Sequence, residues 1–215
     1  MLSFLKTHNK EYLSGQDLSD VLKISRVAIW KHIKKIQELG YKIESKQKLG
    51  YKLVENTKML LPWEVTNGLQ TKKIGKRVYF FDSIDSTQNF ALKISEQSKE
   101  NGAVVIAHKQ TLGKGREGRK WISPQGGIWT SIIIHPKFDV EELTILPLAV
   151  SVAISSAIEK EFNQKPSLKW PNDVMINNKK VAGILTDVSM ESNKIHNVVI
   201  GIGINFDVDA KKIEK

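Results

Sequence analysis

Two capped helical runs separated by only three residues constrain this chain more than any other feature. Residues 14–22 open with Ser14 and set Leu18, Val21 and Leu22 on one face. Ser25 then caps residues 26–39, in which Ile29, Ile33 and Ile36 recur at helical spacing until Gly40 stops the run. With Lys23, Ile24 and Ser25 as the whole connection, the pair predicts a helix-turn-helix, preceded by a short helix built on Leu2, Phe4 and Leu5. Residues 41–44 and 51–54 alternate with period two around a turn at 45–50, the pattern of a hairpin wing with Lys46 and Lys48 at its tip. Arg26, Lys31, Lys34 and Lys35 lie mostly off the isoleucine stripe, which points the second helix's basic face at a DNA major groove. Trp30 is expected to be exposed beside Arg26, because Ile29 and Ile33 already supply the inward stripe. A basic three-helix bundle with a solvated face is the plainer alternative, and the order helix, turn, capped basic helix, lysine-tipped hairpin favours DNA over it.

Charge agrees with that reading. Of the net +10 carried by 215 residues, residues 1–54 hold +6, from eleven Lys and Arg against five Asp and Glu. With 40% hydrophobic residues the chain can bury a core. No apolar run approaches the roughly twenty residues of a membrane span, and the start lacks the apolar centre of a signal peptide, so no membrane partner and a cytoplasmic location are expected. The chain has no cysteine, which excludes disulfides, thiol nucleophiles and zinc ribbons. Its five histidines, His8, His32, His108, His135 and His196, are scattered without ligand spacing, so no protein-bound metal is expected.

Residues 55–61 break the hairpin pattern and Pro62 can start a short helix, which puts a boundary near residues 55–65 and divides the chain into domains 1–60 and 61–215. In the second domain residues 78–81 predict a buried strand, and residues 82–87 lead into a helix carrying Phe90, Leu92 and Ile94. Strands are expected at 103–107, 129–134, 174–176, 181–188 and 195–206, with one long helix over 140–162. Consecutive strands near the end predict an α+β fold with a mixed or antiparallel sheet.

Between two of those strands lies Gly113-Lys114-Gly115-Arg116-Glu117-Gly118-Arg119-Lys120-Trp121. Three glycines free the backbone for positive φ and close approach, and the residues between them are basic, which suits a phosphate or carboxylate. The match to Gly-x-Gly-x-x-Gly does not make a dinucleotide site, because Pro124, Gly126 and Gly127 follow where a crossover helix would have to open. A solvated basic turn is the alternative to an anion site.

Asp85-Ser86-Thr87, residues 110–121, Lys169-Trp170-Pro171-Asn172-Asp173, Lys180-Val181-Ala182-Gly183-Ile184-Leu185 and Gly201-Ile202-Gly203-Ile204-Asn205 together resemble, in order and spacing, the motifs of the bifunctional biotin protein ligases that also repress the biotin operon. The winged helix is in that family's place too, and the resemblance spans residues 1–206. It implies a winged helix-turn-helix followed by a biotin/lipoate-ligase-like domain. It further implies ATP-dependent formation of biotinyl-5′-AMP with Mg²⁺ accompanying the nucleotide, transfer of biotin to a lysine of a biotin carboxyl carrier protein, binding of operator DNA, and a homodimer promoted by ligand.

Residue by residue, the resemblance gives Ser86, Thr87 and Gln110 to the ureido end of biotin, sets Arg116, Lys180 and Arg119 as cations toward the carboxylate and phosphates, and counts Gln88, Lys114, Gly115 and Gly183 among the ligand-binding residues. Trp121 would form the apolar wall, and Asn172, Asp173 and Asn205 would lie toward the nucleotide. Arg116 and Lys180 are the expected catalytic cations, able to reduce the repulsion between two reacting anions. The chain departs from the family at Lys114, where Arg is usual, and at Gln88, where Asn is common. The family's small C-terminal β-barrel, which helps cover ATP, is not expected within a chain ending at Lys215. Two other readings are a ligand-sensing repressor that binds without efficient turnover, and a lipoate ligase, which normally lacks the winged helix and the basic glycine loop.

Overall fold

A computed structural model describes residues 1–97, 100–137, 139–192 and 194–212. It divides into two compact units, Met1–Met59 and Leu60–Lys215.

In the first unit α1 (Leu2–Thr7), α2 (Gly15–Leu22) and α3 (Arg26–Glu38) precede the antiparallel hairpin of β1 (Lys42–Lys46) and β2 (Gly50–Glu55). The Ser14 hydroxyl accepts from Asp17 N–H at 3.0 Å, and the Ser25 hydroxyl accepts from Ala28 N–H at 3.2 Å, so both helices start where the caps satisfy orphan donors. Leu5, Leu18, Ile29, Ile33, Tyr41, Ile43 and Leu53 are buried. Val21 is not on the buried face as expected but 53% exposed. The 100° step of a helix that packs by one flank turns the i+3 position from Leu18 outward, while Leu22 at i+4 stays half-buried.

The second unit is built on a seven-stranded sheet. After α4 (Pro62–Thr66) come β3 (Val78–Ile84), α5 (Thr87–Gln97), β4 (Val104–Gln110), β5 (Ile128–Ile134), α6 (Leu146–Phe162), β6 (Ser167–Lys169), β7 (Asp173–Ile176), β8 (Lys179–Glu191) and β9 (Lys194–Ile204). The strand order is β3-β4-β5-β9-β8-β7-β6, with β3 and β4 parallel and every other pair antiparallel, so the sheet is mixed. β3 runs on through Ile84, beyond the expected end at residue 81, because Ser83 and Ile84 pair with Lys109 and Gln110.

The helix expected over 140–162 is two pieces, a 3-10 segment Val140–Thr144 and then α6. Pro147 has no N–H to give a continuous helix and sits instead in the first turn of α6, where none is needed. Strand alternation then sorts the two faces of the sheet. Ala182, Ile184, Val198 and Ile200 pack with Ile154 of α6, while Val199 and Ile133 pack with Ala91 of α5. Beside α5 on that second face β8 and β9 present Gly183, Gly201 and Gly203, and the missing side chains leave room for a cavity.

Candidate functional site

A cavity of about 500 Å³ opens on the α5 face of the sheet. Its inner end is made where β3 passes into α5. Ser86, Thr87 and Gln88 are no more than 3% exposed there, and the Asn89 side-chain amide, helped by Ser86 N–H, holds the Asp85 carboxyl below the usual carboxylate range. Gln110, the last residue of β4, accepts from Thr87 N–H at 2.8 Å and from the Thr87 hydroxyl at 3.0 Å, and donates to Ser123 Oγ at 2.8 Å. The inward face of α5 is therefore largely polar and small, with Thr87, Gln88, Ala91 and Ser95 buried, whereas the expected apolar residues Phe90, Leu92 and Ile94 pack half-buried at its sides.

The glycine loop folds back as an irregular hairpin. Gly115 N–H donates to Arg119 C=O at 2.7 Å and Trp121 N–H to Gly113 C=O at 2.9 Å. Only one of its three glycines takes positive φ: Gly118, at +72°, follows Glu117 at +56°. Gly113 is required for a different reason, since a Cβ there would strike the Trp121 carbonyl oxygen. Lys114, Arg116 and Arg119 are carried to the cavity by this turn, with Arg119 paired to Glu117 at 2.8 Å and Arg116 Nη1 donating to Asn172 Oδ1 at 2.9 Å. Asn172 is itself held by its Nδ2 on Ile184 C=O at 2.7 Å, directly after the cis Trp170–Pro171 bond.

Trp121 divides the polar inner end from the cationic end. Its ring is seated against Gly203 and Gly183, where a Cβ on Gly203 would overlap the indole. Its Nε1 is buried with no hydrogen-bond partner. Lys180 Nζ lies 5.1 Å from the ring centroid and 2.6 Å from Asp173 Oδ1. A buried acceptor-lined end, an aromatic wall and the cations Lys114, Arg116, Arg119, Lys120, Lys169 and Lys180 suit a ligand that is polar at one end, apolar along its length and anionic at the other.

A second candidate face lies in the first unit. A concavity of about 880 Å³ between α3 and the wing is lined by Arg26, Trp30, Lys34, Lys46 and Lys48, with Trp30 52% exposed. Lys31 and Lys35 are exposed but do not line it. Lys46 is less free than expected: its ammonium lies 3.9 Å from Glu44 and 4.9 Å from the Tyr12 ring, and Tyr12 donates its hydroxyl to Glu44. That leaves Lys48, at φ +67° in the turn, as the cation at the wing's tip.

The model of the biotin/lipoate A/B protein ligase family matches residues 80–205, more than half of the chain. The chain belongs to that family. Residues 1–52 match a helix-turn-helix domain, so the fold is a winged helix-turn-helix followed by a mixed-sheet biotin/lipoate-ligase domain. The bifunctional ligase/repressor BirA of Bacillus subtilis is 37% identical over 208 residues, covering 96% of this chain and 64% of that protein. The protein of the same description from Escherichia coli is 32% identical over 199 residues, covering 92% and 60%. The structure of a biotin protein ligase from Aquifex aeolicus in complex with biotin and ATP superposes with a TM-score of 0.54 at 35% identity, over 63% of this chain and 56% of that one. The chain thus spans between 56% and 64% of the length of these relatives.

Within this ligase-family domain, thirteen of the fourteen residues expected to meet ligand line one cavity: Ser86, Thr87, Gln88, Gln110, Lys114, Gly115, Arg116, Arg119, Trp121, Asn172, Asp173, Lys180 and Gly183. Asn205 does not. It lies past the end of β9, where its N–H donates to Val181 C=O at 2.8 Å and its Nδ2 to Lys180 C=O at 3.3 Å, so it ties the strand end to the segment bearing Lys180. Lys169, Trp170, Leu185, Gly201 and Gly203, which the motifs contain but to which no role is given from sequence, also line the cavity, and Thr130 and Ser131 line it from outside every motif. The strict alternation Ile200-Gly201-Ile202-Gly203-Ile204 was the available signal: it marks a strand with one packed face and one face kept flat.

Proposed function

We propose that this chain is an ATP-dependent biotin protein ligase that also represses transcription in response to its ligand. One observation carries the reading: a single cavity joins the buried hydroxyl and amide end at Thr87, Gln110 and Ser131 to the cationic end at Arg116 and Lys180, with Trp121 between them. Biotin needs those three surroundings in that order, for its ureido group, its apolar body and its carboxylate.

In the first step a carboxylate oxygen of biotin attacks the α-phosphorus of ATP, forming the C–O–P anhydride of biotinyl-5′-AMP as the α–β phosphoanhydride breaks and pyrophosphate leaves. Two anions approach, and Arg116 and Lys180 lower that repulsion by standing as fixed cations where charge builds up. Asp173 keeps the Lys180 ammonium beside the Trp121 face rather than in solvent, so less reorganisation is left for the reaction itself. In the second step a lysine amine of a biotin carboxyl carrier protein attacks the anhydride carbonyl, and AMP departs. The chemistry of the nucleotide implies Mg²⁺ on its phosphates, where it would screen their charge.

The winged helix would take operator DNA along Arg26, Trp30, Lys31, Lys34, Lys35 and Lys48, with Lys46 bracing the wing. Domains of residues 1–60 and 61–215 belong to this reading, as does a cytoplasmic location; no helix among the described residues is long and apolar enough to cross a membrane. So does a ligand-promoted homodimer formed through the larger domain, whose monomer–dimer constant would move with biotinyl-AMP in sedimentation.

The test is biotin-dependent exchange of pyrophosphate into ATP, followed by biotin transfer to a carrier domain. Exchange and transfer together are expected. Retention of biotinyl-AMP without transfer would leave a ligand-sensing repressor, and no exchange with biotin would overturn the ligase.

A further inference from the structure

The buried inner end of the cavity is a chain of side chains that spend nearly all their protons on one another. Gln88 Nε2 donates to Asp187 Oδ2 at 2.9 Å and to Val199 C=O at 3.0 Å, so both of its hydrogens are used. Its Oε1 can then only accept, and the Ser131 hydroxyl donates to it at 2.9 Å. Ser131 has no second proton. Its 3.0 Å contact with Thr87 Oγ1 must therefore be one in which Thr87 donates, unless the Thr87 proton goes to Gln110 Oε1, also 3.0 Å away. In either case the hydroxyl protons of Thr87 and Ser131 are consumed inside the chain. What Thr87 and Ser131 have left for a guest is lone pairs, with one free Nε2 hydrogen on Gln110 after its bond to Ser123.

Asp187 lies outside the cavity lining, on β8 opposite Val199, and none of the motifs in the sequence includes it. Gly201 makes the arrangement possible, since a Cβ there would stand 2.5 Å from Gln88 Oε1. We propose that Asp187 is a positioning residue that sets the hydrogen-bond direction of the Gln88, Ser131 and Thr87 chain, so that this end of the cavity accepts N–H donors and selects a cyclic urea over a dithiolane. The inference rests on the proposed biotin-ligase reading and adds the device by which a member of a biotin/lipoate family refuses lipoate. A urea offers two N–H donors to the lone pairs and one carbonyl to the Gln110 hydrogen. A dithiolane offers neither donor nor strong acceptor, and would leave those buried atoms unpaired, which is the kind of mismatch that discriminates most strongly.

Without Asp187 the Gln88 amide keeps only the Val199 carbonyl and can turn, placing hydrogens where Ser131 now donates and reversing the chain. Calorimetric titration of the full chain with biotin, lipoate and ATP separately tests this. Asp187→Leu is expected to weaken biotin binding by about tenfold, lower the biotin-over-lipoate ratio by a similar factor and leave ATP binding unchanged. Asp187→Asn should restore both, because its amide oxygen can still accept from Gln88. Ser131→Ala, a smaller change that keeps the packing, should reproduce the loss of selectivity should Asp187→Leu not fold. Biotin binding by the unaltered chain together with an unchanged ratio in folded Asp187→Leu, or in Ser131→Ala where Asp187→Leu does not fold, would overturn this inference alone. No biotin binding by the unaltered chain would overturn the ligase reading and this inference with it.

Discussion

Lys180 Nζ stands 2.6 Å from Asp173 Oδ1, on strands that are neighbours in the sheet. The same ammonium lies 5.1 Å from the Trp121 ring centroid, so a carboxylate and an aromatic face hold it at the cavity. Lys180→Ala is expected to lower biotin-dependent pyrophosphate exchange by about 10²–10³, the cost of losing one preorganised electrostatic partner, with little change in melting temperature. Exchange at the native rate would remove Lys180 from the chemistry. Asp173→Asn should fall between the two, since the lysine remains but loses its tether.

Arg116 now donates to Asn172, and a bound phosphate would compete for the same guanidinium. Arg116→Ala is expected to weaken biotinyl-AMP by about 1.5–3 kcal/mol, roughly ten- to a hundredfold, and biotin alone, which keeps Lys180 for its carboxylate, much less. Stopped-flow dissociation of the two ligands distinguishes this from a general loosening of the loop, which would weaken both.

Gly203 faces the Trp121 indole with no room for a methyl group. Gly203→Ala should push the ring away from β9 and cost about 1–3 kcal/mol in stability by overpacking. Affinity for biotinyl-AMP should fall as well. Calorimetric unfolding and ligand titration of the same preparation would show both, and a variant of native stability and affinity would mean that the ring has another resting place.

On the DNA side, Lys34→Ala and Lys31→Ala should each weaken binding to all sequences alike and reduce the salt slope by about one unit. Trp30 is the contrasting case. It is a half-exposed aromatic residue in the basic concavity, so Trp30→Ala should change preference among base pairs while leaving the salt slope intact. Binding titrations against operator and scrambled duplexes at several salt concentrations separate the two behaviours.

Much of this molecule is legible in its sequence. The Ser14 and Ser25 caps, the three-residue turn and the hairpin depend on backbone groups a few residues apart, and the signals that encode them are equally local. The single helix expected over 140–162 is interrupted for a local reason too: Pro147 has no N–H and starts a new helix instead of continuing one, whatever the apolar periodicity on either side of it.

What the sequence by itself determined is the set of elements, the charge carried by residues 1–54, and the motifs that resemble those of the biotin protein ligases. Only the tertiary structure decided how those residues are used. It moved Asn205 from the cavity to the strand end, assigned positive φ to Glu117 and Gly118 rather than to Gly113 and Gly115, and set Gln88 against Asp187, 99 residues away. Such pairings depend on strand register and on which face of the sheet a residue occupies. Register is decided by the packing of α5 and α6 on opposite faces of one sheet, and no stretch of chain carries that information alone.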